Sequence, residues 1–182
     1  MTPSDDPPRM TPLLRPLPFT LRDGDDGDSS GLIALIGAVF AEYPGCILDV
    51  DGEMPELRAP ASAYRARGGR LWVAEDGGRV VGCGAVRPAG EGIELSKLYV
   101  ASAARRRGLG GALCGLVEGE GRSRGAAFVE LWTDTRFKDA HRLYEGRGYA
   151  RLPETRELHD LSNTVEYHYR LSLGAEGRSG ES

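Results

Sequence analysis

The sequence predicts one α+β domain, mixed α/β in character, folded around a single central sheet. Three observations carry this reading: a meander of strand patterns comes first, two strand-then-helix units follow, and glycine or Pro-Gly turns punctuate the junctions. The 182 residues suffice for one domain with a sizeable core and not for two. Six prolines stand within residues 1–18, so that stretch is expected to be a disordered Pro-rich tail, 174–182 a flexible C-terminal tail, and 19–173 the folded domain.

The elements follow in order. Residues 19–22 form a short strand, and Asp28 or Ser29 stands where a helix cap is wanted, ahead of Leu32, Leu35, Ile36, Val39 and Phe40 on one helical face. An acidic loop through Tyr43, Asp49, Asp51 and Glu53 leads to a second helix, expected from near Pro55 to the breaker Gly68-Gly69. Residues 71–75 and 80–87 read as a hairpin around Asp76-Gly77-Gly78-Arg79, and a turn at Pro88-Ala89-Gly90 opens the strand 93–100. A helix with Leu109, Ala112, Leu113, Leu116 and Val117 on its buried face comes next, then an apolar strand at 126–133. Phe137, Ala140, Leu143 and Tyr144 share a second helical face that ends at Gly146 and Gly148, and 164–173 is the last strand pattern. Gly111, Gly115 and Gly119 recur every fourth residue, a spacing read as close packing of that helix on the sheet.

Composition removes several functional classes. The net charge of −4 disfavours a nucleic-acid partner. Cys46, Cys83 and Cys114 are odd in number and widely spaced, which suits a reducing cytoplasm and suggests neither a disulfide framework nor a zinc site. His141 and His159 lack metal-ligand spacing, so no metal is expected. The apolar run 32–41 is too short to span a bilayer, and the N-terminus lacks a signal-peptide pattern.

The most specific segment is Arg105-Arg106-Arg107-Gly108-Leu109-Gly110-Gly111. It puts cations, a glycine turn and a helix N-terminus in succession, and a phosphate group uses all three: free N–H groups and the positive helix end attract the anion, while glycine admits close backbone approach. Gly-Lys-Ser or Gly-Lys-Thr does not close the turn, which disfavours a P-loop, and Leu113 stands where a dinucleotide fingerprint needs its third glycine.

These residues, taken with Leu143-Tyr144-Glu145-Gly146-Arg147-Gly148-Tyr149 further on, make the chain resemble the GNAT N-acetyltransferase superfamily. Arg105, Gly108 and Gly110 fall in register with that family's first motif, after the strand ending Leu98-Tyr99-Val100, and the resemblance covers about residues 19–172. It implies a mostly antiparallel sheet of six or seven strands with about four helices, splayed open at a slot for acetyl-CoA. It further implies that Arg105, Arg106, Arg107, Gly108, Leu109, Gly110 and Gly111 hold the pyrophosphate, and that the backbone of Leu98, Tyr99 and Val100 holds the pantetheine arm. An amine accepts the acetyl group directly in a ternary complex. The acceptor is read as a small-molecule or amino-acid-like amine; a protein N-terminus or lysine, and a CoA-binding sensor without turnover, stand as alternatives. The resemblance also allows a homodimer. One departure is Phe137, which stands where many relatives have a cofactor-contacting asparagine.

The chemistry asks for an acid and a base. An alkylammonium has a pKa of about 10.4 and must lose a proton before it attacks a thioester. Tyr144 is the candidate acid for the departing thiolate; spacing alone also allows a core aromatic, and the resemblance favours catalysis. Glu94 is the candidate base, with an ion-paired strand carboxylate as the other reading and Glu130 and Asp134 in reserve; Ser96 would share its face unless a bulge intervenes. Tyr43, Asp49 and Asp51 are expected to meet the cationic acceptor, with a solvated acidic loop as the other reading, and Asn163, Glu166 and His168 line the other side or form an exposed face.

Overall fold

Seven strands form one sheet in the order β1-β2-β3-β4-β5-β7-β6 in the computed structural model, which describes residues 17–174. Residues 1–16 and 175–182, the bulk of the two expected tails, lie outside the described residues. The strands are β1 (Thr20–Asp23), β2 (Arg70–Asp76), β3 (Arg79–Ala89), β4 (Gly92–Val100), β5 (Phe128–Asp134), β6 (Ala150–Glu157) and β7 (Val165–Ser172). Every pairing is antiparallel except β4 with β5. Four helices cover the sheet: α1 (Ser29–Phe40), α2 (Pro60–Ala66), α3 (Leu109–Ser123) and α4 (Lys138–Gly146).

Period-two alternation along the strands decides the two faces. On β2, Leu71 and Val73 pack with Leu32, Ile36 and Val39 of α1 and Tyr64 of α2. Trp72 and Ala74 turn the other way, toward Leu109, Leu113 and Val117 of α3 and Tyr144 of α4. The β2–β3 turn is tighter than the expected four residues. Asp76 pairs with Arg79, so Gly77 and Gly78 alone make the turn, at φ 56° and 80°; a two-residue turn whose twist matches the strands needs positive φ at both positions.

The sheet has the larger of the two strand numbers expected; its seventh strand, β6, which the sequence pattern does not show, pairs with β7 along the edge. Three readings are corrected. The second helix divides into a 3-10 turn at Pro55–Arg58 and α2, because Pro60 forces Ala59 out of the helical region, to φ −143° and ψ 71°. Asp28 does not cap α1; its carboxylate receives the Asp25 N–H and both Arg22 Nη groups instead. A Cβ built on Gly111 or Gly115 would meet the Arg147 guanidinium at 3.6 or 3.9 Å, and the α3 glycine packed on the sheet side is Gly121, where a Cβ would meet Leu173, Ile93 and Val129.

Gly69 enters β2 with no room for a side chain, since a Cβ there would run into the Val86 and Tyr64 carbonyl oxygens. Gly69→Ala is expected to cost roughly 2 kcal/mol and to lower Tm by about 4–8 °C; an unchanged thermal melt would contradict this packing.

Candidate active site

The site begins where two strands part. β4 and β5 pair over three residues, Ile93 with Val129, Glu94 with Glu130 and Leu95 with Leu131, and then separate. β4 keeps β3 as its partner through Val100, while β5 keeps β7 through Asp134. The divergence starts at an extra residue: Lys97 lies opposite Ala85 and Leu95 opposite Val86, which leaves Ser96 unpaired. Such a bulge bends a strand and increases its twist. Among the described residues the β5-facing edge of β4 beyond Leu95 therefore has no strand partner, as the expected splay requires.

One cavity, of about 400 Å³, lies at the end of this gap. Leu98, Tyr99, Val100, Arg105, Arg106, Gly108, Leu109, Gly110 and Gly111 line it on one side, and Tyr43, Phe137, Ala140 and Leu143 on another. The N-terminus of α3 opens here without a capping side chain and without an acidic residue in its first turn, and Gly108 takes the cap position at φ 84°. The first N–H groups of a helix have no intrahelical acceptor, an arrangement that suits an anion.

The three arginines take separate roles. Arg105 donates from Nε to the Val100 carbonyl (3.1 Å) and grips Glu42 with both Nη groups, which anchors the turn to the end of α1. Arg106 lines the cavity in a left-handed conformation, φ 57°. Arg107 sends its guanidinium over the Phe19 ring, 4.7 Å from the centroid, and does not line the cavity.

A second cavity, of about 320 Å³, shares Leu98, Tyr99, Phe137 and Ala140 with the first. Tyr144 and Glu94 both line it. Tyr144 is 4% exposed, with its ring beside those of Tyr149 and Tyr169, and burial holds its phenol well above the usual tyrosine range. Six carboxylates face four cations across the walls. Three of the cations are committed: Lys97 to Glu56 (2.8 Å), Arg87 to both oxygens of Glu94 (2.9 and 3.1 Å) and Arg156 to Oε2 of Glu166. Glu166 stands above the ordinary carboxylate range, because burial favours its neutral form and Asp134 and Glu94 add to that effect while Arg156 opposes it.

The remaining expected residues separate cleanly. Asp49 and Asp51 line neither cavity: Asp49 accepts the Gly52 N–H in its own loop, and Asp51, 80% exposed, pairs with Arg58. Tyr43 lines the first cavity rather than the second. Glu130 is bound by His168 and Arg170 outside both cavities, and Asp134 lines the second cavity with Arg136 against it. Glu56, Lys97 and Arg156 were not singled out by their sequence pattern; Lys97 reaches the cavity only because the bulge at Ser96 re-aims it. Among the described residues no helix is long and apolar enough to cross a membrane, and no three His, Cys, Asp or Glu are grouped to hold a metal ion.

A sheet parted beside an uncapped, glycine-opened helix, with a second cavity behind the gap, defines an acetyltransferase fold. The sequence matches the acetyltransferase (GNAT) family over residues 39–149, and the chain belongs to that family, enzymes that draw the acetyl group from acetyl-CoA. The fold is shared with a GNAT-family acetyltransferase of Staphylococcus aureus Mu50, at TM-score 0.74 and 18% identity over 86% of this chain and 99% of that one. It is also shared with yncA of Salmonella typhimurium, determined with acetyl-CoA, at TM-score 0.66 and 17% identity over 90% and 99% of the two chains. A third similar structure is the PaiA N-acetyltransferase of Thermoplasma acidophilum in complex with coenzyme A, at TM-score 0.66 and 13% identity over 85% and 98%. No curated protein matches the sequence.

An acid placed in the first turn of α3 separates anion binding from folding. A Cβ on Gly111 meets Arg147 at an ordinary 3.6 Å, and a carboxylate near a helix N-terminus stabilises the helix by about 0.3–1 kcal/mol. Gly111→Asp is expected to keep or slightly raise Tm while weakening coenzyme A at least tenfold in calorimetry; unchanged affinity would remove the phosphate from this helix end.

Proposed function

We propose that the chain acetylates the primary amine of a small molecule, with acetyl-CoA and acceptor bound together. The observation that carries this reading is the shared wall: a cavity at an uncapped helix end and a cavity rich in carboxylates meet at Leu98, Tyr99, Phe137 and Ala140. Acetyl-CoA supplies an activated thioester when bound. The α3 amides from Leu109 to Gly111, with Arg106 beside them, suit its pyrophosphate, and the unpartnered edge of β4 at Leu98–Val100 offers backbone groups to the pantetheine arm.

The side chains of the second cavity then manage protons. At pH 7 an amine with pKa about 10.4 is neutral in about one molecule in 2,500, so a base has a large population to recover. Glu94 and Glu166 both line the cavity. Arg87 engages both oxygens of Glu94, whereas Arg156 engages one oxygen of Glu166, whose raised pKa suits proton uptake nearer neutrality. We assign the proton to Glu166, with Glu94 holding the ammonium alongside it. Tyr144, one turn beyond Ala140 on α4 and with its phenol kept protonated by burial, donates to the departing sulfur.

The base acts in its ionised form, so activity climbs as pH rises through the raised pKa of Glu166. Glu166→Gln is expected to lower kcat/KM by about 10² and to abolish the acid limb of the pH–rate profile, while Glu94→Gln keeps that limb with a smaller loss. A limb that survives in Glu166→Gln and vanishes in Glu94→Gln would exchange the two roles. Tyr144→Phe is expected to lower kcat about tenfold or more with coenzyme A affinity within twofold; full turnover would make Tyr144 a packing residue.

A further inference from the structure

Among the described residues four large hydrophobic side chains are exposed, and three of them, Ile47, Leu158 and Leu161, stand at 48%, 43% and 59%. All three sit on the two loops that close the second cavity. The loop after α1 supplies Cys46, Glu53 and Met54 to its wall, and the loop between β6 and β7 supplies Leu158, Asp160 and Ser162. The loops are fastened to each other: Ile47 N–H donates to Ser162 Oγ (2.8 Å), Ser162 Oγ donates to the Ile47 carbonyl (3.2 Å), and Leu161 N–H donates to Glu53 Oε1 (2.8 Å). Leu158 belongs to the cavity wall itself, so the apolar rim is continuous with the carboxylate-rich interior.

Scattered exposed leucines are ordinary on a protein surface, but these three stand on the two fastened loops that wall one polar cavity, Leu158 in the wall itself and Ile47 and Leu161 next in sequence to its lining residues Cys46, Asp160 and Ser162. The cavity those loops wall carries six carboxylates against four cations. We infer that the acceptor is an amphipathic primary amine, its ammonium held by the interior carboxylates and an apolar substituent of several carbons laid across Leu158, Leu161 and Ile47. This rests on the acetyltransferase reading above and narrows its substrate class: polyamines and free amino acids carry charge where the rim is apolar.

The test uses the full chain, acetyl-CoA and thiol release, with ethylamine, butylamine, hexylamine and 2-phenylethylamine compared with putrescine, glycine and a tripeptide. kcat/KM is expected to rise along the alkyl series mainly through KM, by at most about fourfold per methylene, the factor equivalent to about 0.8 kcal/mol for a fully buried CH2. Putrescine and glycine should fall below hexylamine by at least tenfold. Leu158→Ser and Leu161→Ser, checked for native melting and coenzyme A affinity, should flatten the alkyl series. A flat series in the unmodified enzyme, or a preference for putrescine, glycine or the tripeptide, would overturn the inference and leave the acetyltransferase reading standing. A self-associating protein that Leu161→Ser renders monomeric would assign the patch to a second copy and likewise overturn it. Coenzyme A binding with no acetylation of any amine would overturn the functional reading itself.

Discussion

Strand β4 cannot keep two partners along its whole length, and the site depends on which one it gives up. Its pairing with β3 runs to Val100, whereas its pairing with β5 ends at Leu95. Unpaired backbone groups inside a fold are expensive, so an interior strand edge without a partner persists where something else uses it. The bulge at Ser96 makes the release local, with the Ser96 hydroxyl 2.9 Å from Tyr64 Oη on α2. Arg105 fixes the far end, joining the Val100 carbonyl to Glu42 after α1. Phe137 props the gap from the opposite side, with its ring 4.8 Å from Tyr43 and 6.1 Å from Phe40. Phe137 is thus an apolar post shared by both cavities.

The second cavity is electrostatically costly. Lys97 and Glu56 pair with about a tenth of each side chain exposed. Burial alone would discharge both groups, yet each stays on its charged side, held there against burial by the opposite charge and hydrogen bond of the other at 2.8 Å. Removing one member of such a pair strands a buried charge, at a cost of about 3–5 kcal/mol, whereas an apolar replacement of both is often neutral. The pair is therefore better explained by position than by stability, since it ties the bulged part of β4 to the 3-10 turn before α2. Rigidity at the bulge keeps the β4 edge available and Glu94 in the wall.

Local chemistry made most of the fold legible, and it fails where local and tertiary demands diverge. The meander, α1, α3 and α4 follow from periodicity and glycine punctuation. β6 hides because it is an edge strand: Ala150–Glu157 is mostly exposed, rich in charge, and carries Pro153 in the stretch where its pairing with β7 is irregular. The arginine run looks uniform as sequence, yet its members go to Glu42, to the cavity and to Phe19, choices set by neighbours distant in the chain. Asp49 satisfies a nearby N–H and Asp51 a nearby arginine before either reaches a ligand.

The two halves of the site are unequal in the same way. The half proposed for the donor is built largely of backbone, namely amides at the start of α3, a strand edge and a left-handed glycine, so a short contiguous pattern from Leu98 to Gly111 covers it. Backbone recognition tolerates replacement of most side chains, and the fold is shared with structures at 13–18% identity. The acceptor half is built of side chains, with carboxylates drawn from the loop after α1, from β4, β5 and β7 and from the loop between β6 and β7. No window of sequence contains that set. The physics that makes the transferred group readable from a motif therefore leaves its recipient to tertiary structure, where Glu166 and the apolar rim come into view.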